Sequence, residues 1–201
     1  MLWNYMRTRM LENPKREMRE GNRKMTYEEV VNLAEEYGKE LKGDCYGILC
    51  QSELTASIAL LSCLASGVTA LPLPYGYGKI YWERIIEMIN PPYMITDTCC
   101  EDSKSVDFRV CANIGQDNFK KRIHEIPALI MCDSEIFGNP DGAMISKKNI
   151  LENIKDAEEH FHMNKTDEIV ITRPLYHWSI LIGKFLISLI RGTDIIFQIE
   201  N

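Results

Sequence analysis

The segment 128–149 reads ALIMCDSEIFGNPDGAMISKKN: an apolar strand, a loop of Ser, Gly and Pro, a short second strand, and a Ser placed to start a helix. Such a loop suits one kind of chemistry. Hydroxyls and backbone N–H groups near glycines close around anionic oxygens, and a neighbouring lysine adds positive charge. Ser134, Gly138 and Gly142 suit that cradle, whereas Asp133, Glu135 and Asp141 bring carboxylates and Ile136 and Phe137 bring apolar bulk. A carboxylate about 4 Å from a phosphate charge opposes binding by about 4 kcal/mol at an effective dielectric of about 20, before screening. Taken alone, Gly138-Asn139-Pro140-Asp141-Gly142 equally fits a plain turn between strands.

A second place for chemistry is Tyr176-His177-Trp178. A neutral imidazole there can exchange a proton near pH 7, or it can simply be structural; the aromatic neighbours suit an apolar pocket or a core. His160 and His162 fall on opposite sides of a helix and read as solvated surface, as does the acidic run Asp156, Glu158 and Glu159. The seven cysteines show no CxxC spacing, and the adjacent Cys99 and Cys100 lack a second pair, so neither a zinc cage nor a redox motif is expected. They read as reduced residues of a cytoplasmic protein.

Composition narrows the partners. With 201 residues, 45% hydrophobic and 26% charged, the chain is long enough for a substantial core. A net charge of −6 argues against nucleic acid, which requires a concentrated cationic surface. The stretch Lys120, Lys121 and Arg122 is adequately explained as a helix face. The first residues lack a signal-peptide apolar core, and the apolar run 178–190 contains Lys184 and is too short to span a bilayer. Membrane insertion is not expected.

The elements that would position these residues alternate. Thr26 and Glu29 have capping-box spacing; Val30, Ala34, Tyr37 and Leu41 then follow a helical period, and Gly43 is placed to stop that helix in a left-handed conformation. Strands are expected over 45–50, 68–73, 93–96, 108–111 and 128–132, with helices over 53–66, 80–89 and, briefly, 118–123. Ser146 caps a further helix whose inward residues are Ile150, Ile154, Ala157 and Phe161. The remainder gives a strand over 169–171, a helix over 178–190 closed by Gly192, and a strand over 195–199. The expected fold is α/β, a mainly parallel sheet sandwiched by helices, plus a partial second sheet from the last two strands. The polar break near Asn164 divides it into 1–163, an α/β subdomain containing the loop, and 164–201, the start of a second, incomplete subdomain.

Several short motifs together carry a resemblance. Gly138-Asn139-Pro140-Asp141-Gly142 followed by Ser146-Lys147-Lys148-Asn149 is similar to the phosphate loop of adenylate-forming enzymes, the superfamily of acyl-CoA synthetases and nonribosomal peptide adenylation domains. Met25-Thr26-Tyr27-Glu28-Glu29-Val30, the segment 47–73 and Pro174-Leu175-Tyr176-His177 resemble other stretches of that superfamily, in the same order. Against the family pattern, Asp133 replaces a hydroxyl residue, Glu135 a glycine, Ile136 and Phe137 two hydroxyl residues, and Asp141 a lysine.

The resemblance implies descent from an enzyme that joins a carboxylic acid to ATP and then to a thiol, with ATP and magnesium as cofactors. It places His177 beside the acyl or nucleotide pocket. The altered loop speaks against ATP binding by this chain, and the family's ribose-holding aspartate and C-terminal catalytic lysine are not among these residues. The expectation is an amino-terminal portion that is inactive alone; the alternatives are a noncatalytic binding or scaffold subunit, or half of a split ligase. A homodimer, or a complementary chain covering the last strands, is the expected partner.

Overall fold

The computed structural model describes residues 1–77, 79–97, 108–112, 126–132, 141–160, 164 and 166–199. The expected helix over 118–123, the basic stretch at Lys120, Cys99, Cys100, Phe161, His162 and the loop residues 133–140 lie outside the described residues.

The chain opens with α1 (Leu2–Leu11), which buries Leu2, Trp3, Met6 and Met10. A hairpin follows, β1 (Glu17–Glu20) and β2 (Arg23–Thr26), turning at Gly21 with φ 57°. Neither strand was expected, because both are dominated by charged residues. Met18 alone of the hairpin is fully buried.

Thr26 then caps α2 (Tyr27–Glu40), with the reciprocal Thr26–Glu29 bonds of a capping box. Gly43 does not end this helix in a left-handed conformation. The cap, Leu41, is extended, and Gly43 has no positive φ. What Gly43 answers is crowding: a Cβ there would lie 2.3 Å from the Tyr93 ring.

The larger sheet has six strands in the order β6-β5-β3-β4-β7-β8: β3 (Cys45–Leu49), β4 (Thr69–Pro72), β5 (Tyr93–Asp97), β6 (Phe108–Ala112), β7 (Leu129–Cys132) and β8 (Gly142–Ile145). Its four inner strands are parallel, and the two edge strands are antiparallel to their neighbours. Inner strands that meet helices on both faces need continuous apolar runs, as in Tyr46-Gly47-Ile48 and Leu129-Ile130-Met131.

Between β3 and β4 runs α3 (Glu53–Ser66), capped by Ser52 through the Thr55 N–H and closed by Gly67 at φ 80°. It is apolar on nearly every side and sits between α2 and the sheet. On the opposite face α4 (Lys79–Ile89) buries Tyr81 and Ile85 against Leu71, Leu73 and Ile130.

Ser146 caps α5 (Lys147–His160), accepting from the Asn149 N–H at 3.1 Å, and Ile150 and Ile154 are buried as expected. Glu158 is not a wet residue: it receives hydrogen bonds from Tyr5 and Arg9, because α1 packs across α5. The smaller sheet has the order β2-β1-β10-β9, with β9 (Glu168–Ile171) and β10 (Asp194–Phe197).

The last two strands therefore do not form a sheet by themselves. The hairpin covers one side of β10, with Met18 opposite Ile195, leaving β9 as an edge. The helical run α6 over 178–191 includes a π-wound stretch, Leu181–Leu186, and closes at Gly192 with φ 70°. The fold is α/β, a mostly parallel six-stranded sheet with a four-stranded second sheet. No helix among the described residues is long and apolar enough to cross a membrane.

Candidate functional site

The turn between β9 and α6 positions Tyr176 and His177. The His177 N–H donates to the Pro174 carbonyl at 3.2 Å, and the His177 carbonyl accepts from Ile180 and Leu181, so the turn passes directly into the helix. The Tyr176 and His177 rings lie 4.3 Å apart at 37°. Burial first, and then the positive charge of Arg173, holds the imidazole below its ordinary pKa. It is neutral at pH 7, able to accept or donate one hydrogen bond but not to supply a charge.

These residues and the end of the loop line one open groove of about 620 Å³. Tyr176, His177 and Trp178 line it together with Asp141 and residues of β7 and β8, and with Asn149 and Asn153 contributed by α5. The structure thus brings together Asp141, Gly142, Tyr176, His177 and Trp178, five of the residues singled out in the sequence. Asp133, Ser134, Glu135, Ile136, Phe137, Gly138, Asn139 and Pro140 lie outside the described residues. Asn153 was missed: it sits one helical turn beyond Asn149, on the same side of α5, and that spacing was the available signal.

The groove's described lining holds one carboxylate, Asp141, and no lysine or arginine. Phosphate oxygens call for positive charge or converging donors, and the described lining offers them only neutral donors such as amide and imidazole groups. It suits a planar or apolar group, with amides and a neutral imidazole for polar contacts. No three His, Cys, Asp or Glu side chains among the described residues converge to hold a metal ion.

Behind the turn lies a more enclosed cavity of about 180 Å³, at the carboxyl ends of β3 and β4 where the connections leave toward opposite faces of the sheet. Tyr176 lines both spaces. On the cavity wall is Glu53, 7% exposed, whose Oε2 accepts from the Leu175 N–H at 2.9 Å. The helix amides around it are already occupied: Glu20 accepts from the Glu53 N–H, and Asp97 accepts from Gln51 and Ser52. Arg23 pairs with Glu20 and also donates to Ser52.

Burial, with smaller contributions from the charges of Glu20 and Asp97, pushes the Glu53 carboxyl up to about 7 despite the Leu175 bond. Sequence reading took Glu53 only as the first residue of α3. The signal available was a lone carboxylate at the front of a helix apolar on nearly every side, which leaves it nowhere to meet water.

Residues 6–200 match the family described as AMP-binding enzyme. Over 76 residues, 38% of this chain and 15% of the relative, the sequence is 26% identical to a sulfoacetate–CoA ligase of Cupriavidus necator. The fold is similar to o-succinylbenzoate CoA synthetase of Bacillus subtilis, solved with its acyl-adenylate intermediate. The TM-score is 0.72 at 20% identity, covering 98% of this chain and 56% of that one; another structure of that enzyme holds ATP and a magnesium ion. A fatty acid AMP ligase of Legionella pneumophila is similar with a TM-score of 0.75 at 22% identity, over 98% of this chain and 39% of that one. These identities speak for the fold alone, and the chain spans little more than half of the first solved relative and less of the others. Sequence and fold agree that the chain belongs to the AMP-binding enzyme family and corresponds to the amino-terminal part of acyl-CoA ligases.

Proposed function

We propose that the chain supplies the cleft-lining amino-terminal portion of a ligase that joins a carboxylic acid to ATP and then to a thiol, and that it does not itself hold magnesium ATP. The observation that carries this reading is the charge of the groove. Asp141 and His177, a neutral ring, both line it, and no cation among the described lining residues offsets the carboxylate. By order of magnitude, one carboxylate near a phosphate costs as much as several good hydrogen bonds return. Tyr176, Trp178 and the two asparagines leave the groove suited to an aromatic or acyl group.

Calorimetric titration with magnesium ATP tests this. The native chain is expected to give no saturable heat, whereas Asp141→Lys, which exchanges one charge for its opposite, gains measurable affinity. Saturable binding by the native chain in the micromolar range would overturn the reading and favour a ligase completed by a second chain.

A binding role beside another chain is the second reading, and one observation favours it. The edge strand β8 leaves Gly142, Ala143 and Met144 exposed, Met144 by 60%, next to the groove. An unpaired strand edge carrying an apolar side chain is a site for added pairing. Light scattering that finds only a monodisperse monomer would count against a homodimer.

A further inference from the structure

We propose that Glu53 is the positioning residue of the groove: its carboxylate, delivered by the first turn of α3, holds the Leu175 N–H and so sets where Tyr176 and His177 stand. The inference builds on the groove described above but does not depend on what binds there.

Three observations converge. First, the bond is buried and joins residues 122 positions apart, so it ties the larger sheet's first crossover helix to the turn that enters α6. Leu175 is itself buried, and the next two residues are the groove wall. Second, the place of the Glu53 carboxylate is over-determined. Ser52 caps the helix; Glu20 from β1 holds the Glu53 N–H at 2.8 Å; Asp97 from β5 holds the two amides before it. A side chain launched from so anchored a turn has little freedom of its own.

Third, the location is costly. The groups facing Glu53 are Glu20 on β1 and Asp97 on β5, both acidic, while Arg23 on β2 is engaged with Glu20 and Ser52. A carboxylate kept in such a place for packing alone would be improved by an apolar residue, since burying a charge beside like charges is unfavourable. The backbone amide is what it serves: an N–H enclosed by protein and left without an acceptor carries the full cost of its desolvation.

Reach and charge can be separated. Glu53→Gln keeps the length and one acceptor oxygen but removes the charge. Glu53→Asp keeps the charge and is one methylene shorter. In the ¹⁵N-labelled 201-residue chain without nucleotide, hydrogen exchange at the Leu175 amide and the ring titration of His177 report the clamp, with His177 assigned by its loss in His177→Gln.

With Glu53→Gln, the Leu175 amide is expected to stay protected and His177 to keep its low titration. With Glu53→Asp, the amide is expected to exchange roughly tenfold faster or more, and His177 to move toward its ordinary value as the turn opens to water. If Glu53→Asp leaves both readouts unchanged, or Glu53→Gln moves them as far as Glu53→Asp does, the positioning role is overturned. Because no nucleotide is present, the result is independent of whether the groove binds ATP.

Discussion

The Tyr27 hydroxyl donates to the Thr193 carbonyl and lies within 3.3 Å of the Ser188 carbonyl, so the first residue of α2 is joined to the turn that closes α6 and opens β10. Tyr27 is fully buried, and burial pushes its phenol far above the ordinary range, so it stays a donor at neutral pH. This contact adds to the direct pairing of β1 with β10 in holding the hairpin side and the carboxyl-terminal side of the smaller sheet together.

Tyr27→Phe removes the donor to the buried Thr193 carbonyl, while the Ser188 carbonyl keeps the Gly192 and Thr193 N–H groups. The expected loss is about 1–2 kcal/mol of unfolding free energy, read from the urea midpoint with an unchanged slope. A neutral result would mean that water or another donor replaces the hydroxyl.

Glu53 makes stability depend on pH in a definite direction. Its carboxyl is raised in the folded chain to about 7 from an ordinary 4.5, so its contribution is fully present below the ordinary value and is lost as pH rises through the folded one. Between those limits the native chain is expected to lose up to about 3 kcal/mol relative to Glu53→Gln. Urea unfolding of both proteins across that window measures the difference directly. Parallel curves would show that the carboxyl titrates normally.

Gly43→Ala places a Cβ 2.3 Å from the Tyr93 ring, which must shift and is stacked on Tyr46 at 5.0 Å. The Tyr46 hydroxyl also accepts from the Lys42 N–H, so displacing the stack disturbs the end of α2. Overpacking of this kind costs about 1–3 kcal/mol. Thermal unfolding should show the loss, and Tyr93→Leu in the same chain should recover part of it.

Ser146→Ala deletes the cap of α5, whose Oγ accepts from the Asn149 N–H and donates to its side chain at 2.6 Å. A loss of about 1 kcal/mol is expected. Because Asn149 lines the groove, its side-chain amide resonances should shift as well; stability falling without that shift would separate the cap from the site.

The strongly patterned elements were legible in the sequence. The capping box at Thr26, the stop at Gly67, the Ser146 cap and the short apolar strands all follow from local chemistry that tertiary packing did not override. So was half of the groove: Asp141, Gly142, Tyr176, His177 and Trp178 stood out before any contact between them was known.

What only the tertiary structure decided are relationships between distant segments. Charged strands such as Glu17–Glu20 carry no apolar alternation, so their membership of the smaller sheet rests on β10 being there to pair with. Gly43 looked like a helix stop because a glycine's conformational freedom is visible in sequence, whereas the Tyr93 ring that requires its missing side chain is 50 positions away. Glu53 is the clearest case. Residue type and helix position are local, but the acidic neighbours Glu20 and Asp97 and the Leu175 amide come from three other segments. Electrostatic environment is a property of three-dimensional proximity, which one-dimensional spacing does not encode.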